Sequence, residues 1–358
     1  MSEDALLNTL DEEGLRQFLD LHAEAVSVVT ERFYATHGSL YERFGSRGRE
    51  ACREDLAFHL EFLRPVLEFG LLQPMVDYLH WLNGVLSARA IPTEHLSQSL
   101  DWLAEFFQDR MEASEGAIVV EALLAARTCF HKTNDTPLMP LAPREPWAEM
   151  AEFQAALLGG NHREAHAILQ RCIDNGHSLV ELELHIIQPA LYDIGEKWQA
   201  NQVSVAQEHM ATAIAQSVMA VALQNSQPPP SVNKRVLLAC VEGNNHALGL
   251  QMVADAFLLA GWEVQYLGAN VPTLSLIQQV AEWKPDLVGL SVSFPQQLRV
   301  AKAIIAQLYE RFGRQRPAVI VGGLAFNRFR GLADVVGADI FGTDSKAAVE
   351  YGNRVVSG

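Results

Sequence analysis

The amino-acid sequence predicts a multidomain protein of α and α/β architecture, and three observations carry that prediction. The chain of 358 residues is too long for one ordinary domain. Proline-rich segments interrupt it at residues 133–146 and 227–234. Hydrophobic residues follow a helical period before the second segment and form short β-rich runs after it. We therefore expect an all-helical domain over 1–132, a four-helix bundle over 147–225 and an α/β domain over 235–358.

The two regions before residue 227 carry helical patterns of different length. In the first, apolar residues recur at spacings of three and four, as in Asp55–Leu63, and about five or six helices are expected. In the second, Gly159-Gly160 and Asn175-Gly176 mark turns. The sequence Ser204-Val-Ala-Gln207 is a capping-box pattern, so the last helix of the bundle should begin there.

Five short β-rich runs alternate with helical stretches in the last region. They predict a five-stranded parallel sheet covered by helices on both faces. Ligands of such sheets bind at the carboxyl ends of the strands, so function is expected in the loops after strands one, three and four. The runs cover residues 235–241, 263–267, 286–292, 318–321 and 338–341.

Composition excludes several functional classes. The chain has 27 Lys and Arg against 43 Asp and Glu, a formal charge of -16, which disfavours direct binding to the phosphate backbone of DNA. No stretch is long and apolar enough for a membrane span, and no secretion signal opens the chain. The four cysteines form no CxxC pair. We expect a cytoplasmic protein without a disulfide framework.

The loop after the first strand contains a histidine and no phosphate-binding pattern. Residues 242–249 read Glu-Gly-Asn-Asn-His-Ala-Leu-Gly, which matches neither GxGxxG nor GxxxxGK[ST]. The third strand ends near Ser291 and Ser293, and the fourth ends at Gly322-Gly323. Small residues at these strand ends leave room for a bulky ligand.

This ordered set resembles the cobalamin-binding domain, whose pattern is Asp-x-His-x-x-Gly, then Ser-x-Leu, then Gly-Gly, and the resemblance covers residues 235–358. It implies a flavodoxin- or Rossmann-like sheet and a bound cobalt corrinoid. The residues it assigns to cofactor binding are Asn244, Asn245, His246, Gly249, Ser291, Ser293, Gly322 and Gly323. His246 would be the lower axial ligand of cobalt, and the serines and glycines would surround the nucleotide tail. Asn244 replaces the Asp of the pattern, and Ser293 replaces its Leu.

The bundle extends the resemblance to light-sensing adenosylcobalamin regulators, in which a helical cap covers the upper face of the corrin. Trp198 is followed after nine residues by Glu208-His209, as in their signature. The resemblance implies that Trp198 caps the adenosyl group, that Glu208 holds its ribose and that His209 assists, with Val205 in the same pocket. Some of these photoreceptors carry a histidine directly after the tryptophan, where this chain has Gln199.

The predicted function is that of an adenosylcobalamin-dependent photoreceptor in signal transduction or transcription regulation, not an enzyme. Light would cleave the cobalt–carbon bond, and the change would pass to the N-terminal domain, a protein partner or a homo-oligomer interface. That domain does not resemble the MerR-like helix-turn-helix of such receptors. The sequence leaves open whether a second tetrapyrrole binds to His59 or His80 in this domain. The alternatives are a corrinoid carrier of a methyltransferase system and a cobalamin sensor that works in the dark.

Overall fold

A computed structural model describes residues 7–132, 144–227, 229–328 and 332–356. Residues 133–143 of the first proline-rich segment, expected to be a linker, lie outside this description. The chain divides into two compact units, Met1–Leu138 and Met139–Gly358. No helix within the described ranges is long and apolar enough to span a membrane.

The first unit is all-helical. Its described part begins with helix α1, capped by Asp11, whose side chain accepts a hydrogen bond from the Gly14 amide. Phe18 and Phe107 stack at a ring separation of 5.0 Å in its core. The five helices described between residues 7 and 132 are α1 (Glu12–Tyr41), α2 (Gly45–Phe69), α3 (Gln73–Ser87), α4 (Thr93–Arg110) and α5 (Ala113–Lys132).

His59 in this unit has a structural role. Its Nδ1 lies 2.8 Å from the Tyr78 hydroxyl, and its Nε2 lies 3.3 Å from the Ser99 hydroxyl. Burial lowers the pKa of His59 to about 3, which keeps the ring neutral. Both ring nitrogens have hydrogen-bond partners in the structure, and the tetrapyrrole ligand role left open for His59 stays a prediction. His80 packs against Phe130 at 5.0 Å, and a ligand role for it stays a prediction.

The second unit begins with a helical bundle. Leu182, Ile186, Ile194, Ile214 and Val218 are buried in its core, and Met252 from the sheet region belongs to the same cluster. The capping box at Ser204 is confirmed, since its side chain and that of Gln207 bond each other's backbone amides. The elements are α6 (Glu149–Leu158), α7 (His162–Asp174), α8 (Leu179–Leu182) continuing through a π-helical segment (Glu183–Ile187) into α9 (Gln188–Gln199), and α10 (Val205–Asn225).

The rest of the unit is the expected five-stranded sheet with all strands parallel. The strand order β2-β1-β3-β4-β5 is that of flavodoxin-like folds, with the topological switch point between β1 and β3. The strands are β1 (Arg235–Val241), β2 (Glu263–Val271), β3 (Leu287–Ser291), β4 (Ala318–Gly322) and β5 (Ile340–Gly342). The described helices are α11 (Leu248–Leu259), α12 (Thr273–Trp283), α13 (Leu298–Phe312), α14 (Leu324–Arg328), α15 (Leu332–Val336) and α16 (Ser345–Val356).

Candidate functional site

A cavity of about 430 Å³ lies at the carboxyl edge of the sheet, between the strand ends and the helical bundle. The sheet contributes the ends of β3, β4 and β5 together with the loop after β1. The bundle contributes one face of the π segment and α9 and one face of α10. Its lining residues are Leu184, Gln188, Leu191, Tyr192, Glu208, Thr212 and Gln216. The cavity is large enough to bury much of a ligand of cofactor size.

The structure brings most of the sequence-predicted residues to this cavity. Those that line it are Glu208, Asn245, His246, Gly249, Ser291, Ser293, Gly322 and Gly323. Asn244 is fully buried behind the wall. Trp198 is half-buried against the bundle core, Val205 is exposed at 52%, and the His209 side chain is exposed at 75%. These last three are outside the cavity lining.

The Asn244 side chain holds the loop that contains His246 by hydrogen bonds to backbone atoms. Its Oδ1 accepts a hydrogen bond of 3.1 Å from the His246 amide, and its Nδ2 donates one of 2.9 Å to the Ser291 carbonyl. An aspartate could not make the second bond, because a carboxylate has no donor. Tyr266 supports the same loop by donating to the Ala247 carbonyl at 3.0 Å. The asparagine therefore joins the loop after β1 to the end of β3.

His246 is kept neutral by its surroundings. Burial lowers its pKa, and the nearby carboxylate of Glu208 acts in the opposite direction with a smaller effect. Phe294 packs edge-on against the imidazole with ring centroids 5.1 Å apart. A neutral imidazole nitrogen is the form that binds a transition metal. The loop thus presents a metal-binding group to the cavity.

The glycines of the wall serve two purposes. Gly323 has a φ of +99°, and a Cβ there would lie 2.5 Å from the Val292 carbonyl oxygen, so the backbone itself requires glycine. At Gly249 in α11 a Cβ would meet nothing within 4 Å. Gly249 leaves open space that a ligand can use.

Glu208 is the carboxylate of the bundle wall. It accepts a hydrogen bond of 3.1 Å from the Thr212 hydroxyl and pairs with Nδ1 of His209. His209 lies on the solvent side of this pair, so the two side chains connect the cavity with the surface. A carboxylate and an imidazole in contact can exchange a proton or orient a hydroxyl-bearing ligand.

Several lining residues were missed by the sequence analysis. Thr212 and Gln216 follow Glu208 at intervals of four, and Gln188 and Tyr192 have the same spacing on α9. Helical spacing could have indicated the residues on α10 once Glu208 was chosen. No cavity residue near Gln188 and Tyr192 on α9 was predicted from the sequence, so the same spacing could not be applied to them. At the sheet edge, Asn327, Asp344 and Ser345 were also missed.

Comparison with known proteins identifies this cavity. Residues 234–351 match the family model described as B12 binding domain, and residues 150–223 match a second model with the same description. These two segments are B12-binding domains. The cavity lies where the segments meet, since Glu208 and Thr212 come from one and His246 and Ser291 from the other.

Relatives of the B12-binding domains belong to two groups. The HTH-type transcriptional repressor CarH of Myxococcus xanthus is 28% identical over 44% of this chain, and the match spans only 51% of the repressor. A corrinoid protein of Desulfitobacterium hafniense is 24% identical over 57% of this chain and 96% of its own length. The trimethylamine corrinoid protein of Methanosarcina barkeri is 26% identical over 56% of this chain and 93% of its own.

The residues of the cavity fit a corrinoid. A neutral His246 offers a nitrogen ligand for cobalt, and Gly249 leaves space beside it. Three buried polar atoms of the wall, Gln188 Oε1, Asn327 Oδ1 and Ser345 Oγ, have no hydrogen-bond partner within the described part of the chain. Buried polar atoms are almost always paired, so these atoms point to a ligand with polar groups.

Proposed function

We propose that this cobalamin-binding protein is an adenosylcobalamin-dependent photoreceptor or signalling protein. The observation that carries the proposal is the position of Glu208. The carboxylate of the Trp198, Glu208 and His209 signature lies in the same cavity as His246, close enough to raise the pKa of that imidazole. The two groups that would act on opposite faces of a corrin are thus present in one site.

His246 would bind cobalt from below. The hydrogen bonds of Asn244 hold its backbone, and burial keeps its ring in the neutral form that coordination needs. Gly249, Gly322 and Gly323 would give room for the nucleotide tail beside Ser291 and Ser293. Asn245 would contribute a polar contact from the same loop.

Glu208 would hold the upper adenosyl group through its ribose hydroxyls. Thr212 and His209 orient its carboxylate from either side. Trp198 at the end of α9 and Val205 at the start of α10 are outside the cavity lining, and we propose that Trp198 stacks on the adenine and that Val205 contacts the adenosyl group when the cofactor is bound. The bound cofactor supplies a cobalt–carbon bond that light can cleave. Gln199 offers no imidazole next to Trp198, so this position provides no second histidine ligand.

A short segment could carry the change out of the cavity. Arg144 forms hydrogen bonds of 3.1 and 2.8 Å with Oδ2 of Asp344, a residue of the cavity wall. Trp147 stacks on His185 at 4.9 Å and donates its amide to the His185 carbonyl at 3.0 Å. We call residues 144–147 the arm. Since the arm follows the N-terminal unit in the chain and contacts the wall of the cavity, it is a route for output.

The N-terminal helical unit supports a signalling role. A corrinoid protein is matched over 96% of its length by 57% of this chain, and the B12-binding matches begin at residue 150. The helices between residues 7 and 132 are therefore additional to the corrinoid-binding part. We propose that they contact a protein partner or a second copy of the chain, and that they do not bind DNA directly, given the charge of -16.

A corrinoid carrier of a methyltransferase system is the second candidate. The names and the extensive coverage of the corrinoid relatives favour it. A carrier needs an upper face open to small methyl donors and acceptors, and it has no use for a residue set that holds adenosine. The two candidates thus differ in their preference between adenosyl and methyl cobalamin.

The decisive experiment is purification with adenosylcobalamin in the dark, followed by absorption spectra and gel filtration before and after green light. We expect spectral conversion together with a change in size or shape. Binding without any response to light would overturn the photoreceptor and favour the carrier or a dark sensor.

Two variants separate the candidates further. Trp198→Ala and Glu208→Ala should remove the preference for adenosyl over methyl cobalamin if the protein is a photoreceptor. Glu164→Ala, on the exposed side of α7, is the matched control and should keep that preference. A carrier would bind both cobalamins equally before and after these substitutions.

A further inference from the structure

Three polar atoms of the cavity wall lack a hydrogen-bond partner among the residues that the structure describes. They are Gln188 Oε1, Asn327 Oδ1 and Ser345 Oγ, and each is buried from solvent. All three residues line the cavity. An unpaired buried acceptor destabilises a fold, so a wall that contains three of them is suited to a ligand that supplies donors.

Neighbouring bonds determine which atom of each side chain is left unpaired. Asn327 donates from Nδ2 to the Thr343 carbonyl at 3.0 Å, which turns its Oδ1 the other way. Gln188 donates from Nε2 to the Tyr192 hydroxyl at 3.4 Å, leaving Oε1 without a donor. Ser345 opens α16, but Asp344 already caps that helix by accepting from the Ala347 amide. The Ser345 hydroxyl is therefore not needed as a cap.

The three atoms occupy both walls of the cavity. Gln188 belongs to the helical bundle, whereas Asn327 and Ser345 follow β4 and β5 at the sheet edge. The charged side chains among the described lining residues are acidic: Glu208, and Asp344, which pairs with Arg144. The amide oxygens of Gln188 and Asn327 can only accept, so the carboxylates of a ligand would find no donor at these two points, whereas the Ser345 hydroxyl can donate as well as accept. A ligand bearing amide N–H groups would meet acceptors.

We propose that Gln188, Asn327 and Ser345 bind the peripheral carboxamides of the corrin and make the site selective for amidated corrinoids over their carboxylic acid precursors. The inference rests on cobalamin binding at this cavity and deepens it, because it names the part of the ligand that is recognised. It does not depend on the response to light.

The test compares two corrinoids that both lack the nucleotide tail, diaquocobinamide and diaquocobyrinic acid, with the full-length protein. Dissociation constants are measured by absorption titration at two salt concentrations, since general repulsion from an acidic protein is screened by salt and selective hydrogen bonding is not. The wild-type protein should bind cobinamide more tightly than cobyrinic acid at both salt concentrations. Gln188→Leu and Asn327→Leu should each weaken cobinamide binding about tenfold and leave cobyrinic acid binding nearly unchanged, and Ser345→Ala should weaken cobinamide binding about tenfold.

Thermal unfolding without corrinoid distinguishes recognition from a structural role. Ser345→Ala removes only an unpaired hydroxyl, so it should leave the midpoint unchanged or raise it while binding weakens. Gln188→Leu and Asn327→Leu also lose their bonds to the Tyr192 hydroxyl and the Thr343 carbonyl, so their midpoints should fall. Gln278→Leu is the matched control, because Gln278 is an exposed amide of α12 outside the cavity lining that donates to Glu282 at 2.8 Å. Unchanged affinity in all three variants, or a midpoint of Ser345→Ala that falls together with affinity, would overturn the inference. If the wild-type protein binds neither cobinamide nor hydroxocobalamin, the proposed function itself fails.

Discussion

At the scale of single residues, His246 and Glu208 form the electrostatic centre of the site. Burial lowers the pKa of His246 below its ordinary value of 6.5, while Glu208 raises it by a smaller amount. The two residues come from different B12-binding segments, so the effect of Glu208 on the pKa of His246 depends on how close the two segments lie. Of these two effects on the pKa of His246, the effect of the Glu208 charge can be removed by a substitution.

Glu208→Gln should lower the pKa of His246 further, because it deletes the negative charge that favours the imidazolium. We expect this fall in the pKa of His246 in the protein without cofactor. Histidine-selective NMR titration measures it, with His246→Gln identifying the resonance. Glu164→Gln on the exposed face of α7 is the control. A rise of the pKa, or an equal shift in the control, would contradict this account of the site.

At the scale of secondary-structure elements, the π-helical segment Glu183–Ile187 links three parts of the second unit. Leu184 lines the cavity, His185 stacks on Trp147 of the arm, and Glu183 points to Asp255 of α11. Glu183 is fully buried and Asp255 is exposed by only 3%. A π segment shifts the helical phase, which lets neighbouring residues face such different surroundings.

The two buried carboxyl groups of Glu183 and Asp255 lie close enough for each to affect the ionisation of the other. Burial raises the pKa of Glu183 well above its ordinary value and that of Asp255 to about 6, and the charge of Asp255 raises the pKa of Glu183 further. Glu183 is therefore the group of the pair that keeps its proton to higher pH. Because the folded protein holds these protons more tightly than the unfolded chain, the pair reduces stability as the pH rises.

Glu183→Gln should make the second unit less sensitive to pH. The free energy of unfolding of the wild-type protein should fall between about pH 4 and pH 6 and continue to fall while Glu183 ionises. The variant keeps a donor without an ionisable group, and should be about 1–3 kcal/mol more stable than wild type above pH 6, with little difference near pH 4. Urea unfolding at each pH measures this. Glu196→Gln, an exposed glutamate of α9, should follow wild type. A lower stability of Glu183→Gln than of wild type at pH 8 would refute the raised pKa of Glu183.

At the scale of the whole molecule, the arm is the described segment that could connect cofactor state to the N-terminal unit. Its ion pair is half-exposed at Arg144 but nearly buried at Asp344, whose side chain is exposed by 5%. Asp344 also caps α16, so it is held in place by backbone bonds. Movement of the cavity wall would therefore be passed to Arg144.

Arg144→Gln should uncouple the arm from the cavity. Hydrogen exchange of the peptide containing the Trp147 amide should depend on hydroxocobalamin in the wild-type protein. In the variant it should be about fivefold faster and independent of the cofactor, since one half-buried ion pair is lost. Arg163→Gln, on the exposed side of α7, is the control. If Arg144→Gln retained the full dependence on cofactor, the arm would not be the route.

The sequence determined the features that depend on local period and on position along the chain. Alternation of strands and helices predicted the parallel sheet, and the parallel sheet required the loops containing His246, Ser291 and Gly322 to meet at one edge. The capping box at Ser204 is local as well, and it was predicted for the same reason. Glu208 could be placed near the cavity because a motif of fixed spacing supported it.

Tertiary structure decided which atoms face each other and which are buried. Three features depend on residues from separate elements. They are the proximity of Glu183 to Asp255, the unpaired acceptors of Gln188 and Asn327, and the hydrogen bonds to both ring nitrogens of His59. No local period records such pairs, since they depend on how helices pack on the sheet or on each other. The protonation of a carboxyl or imidazole follows from burial and neighbours, and these exist only once the chain has folded.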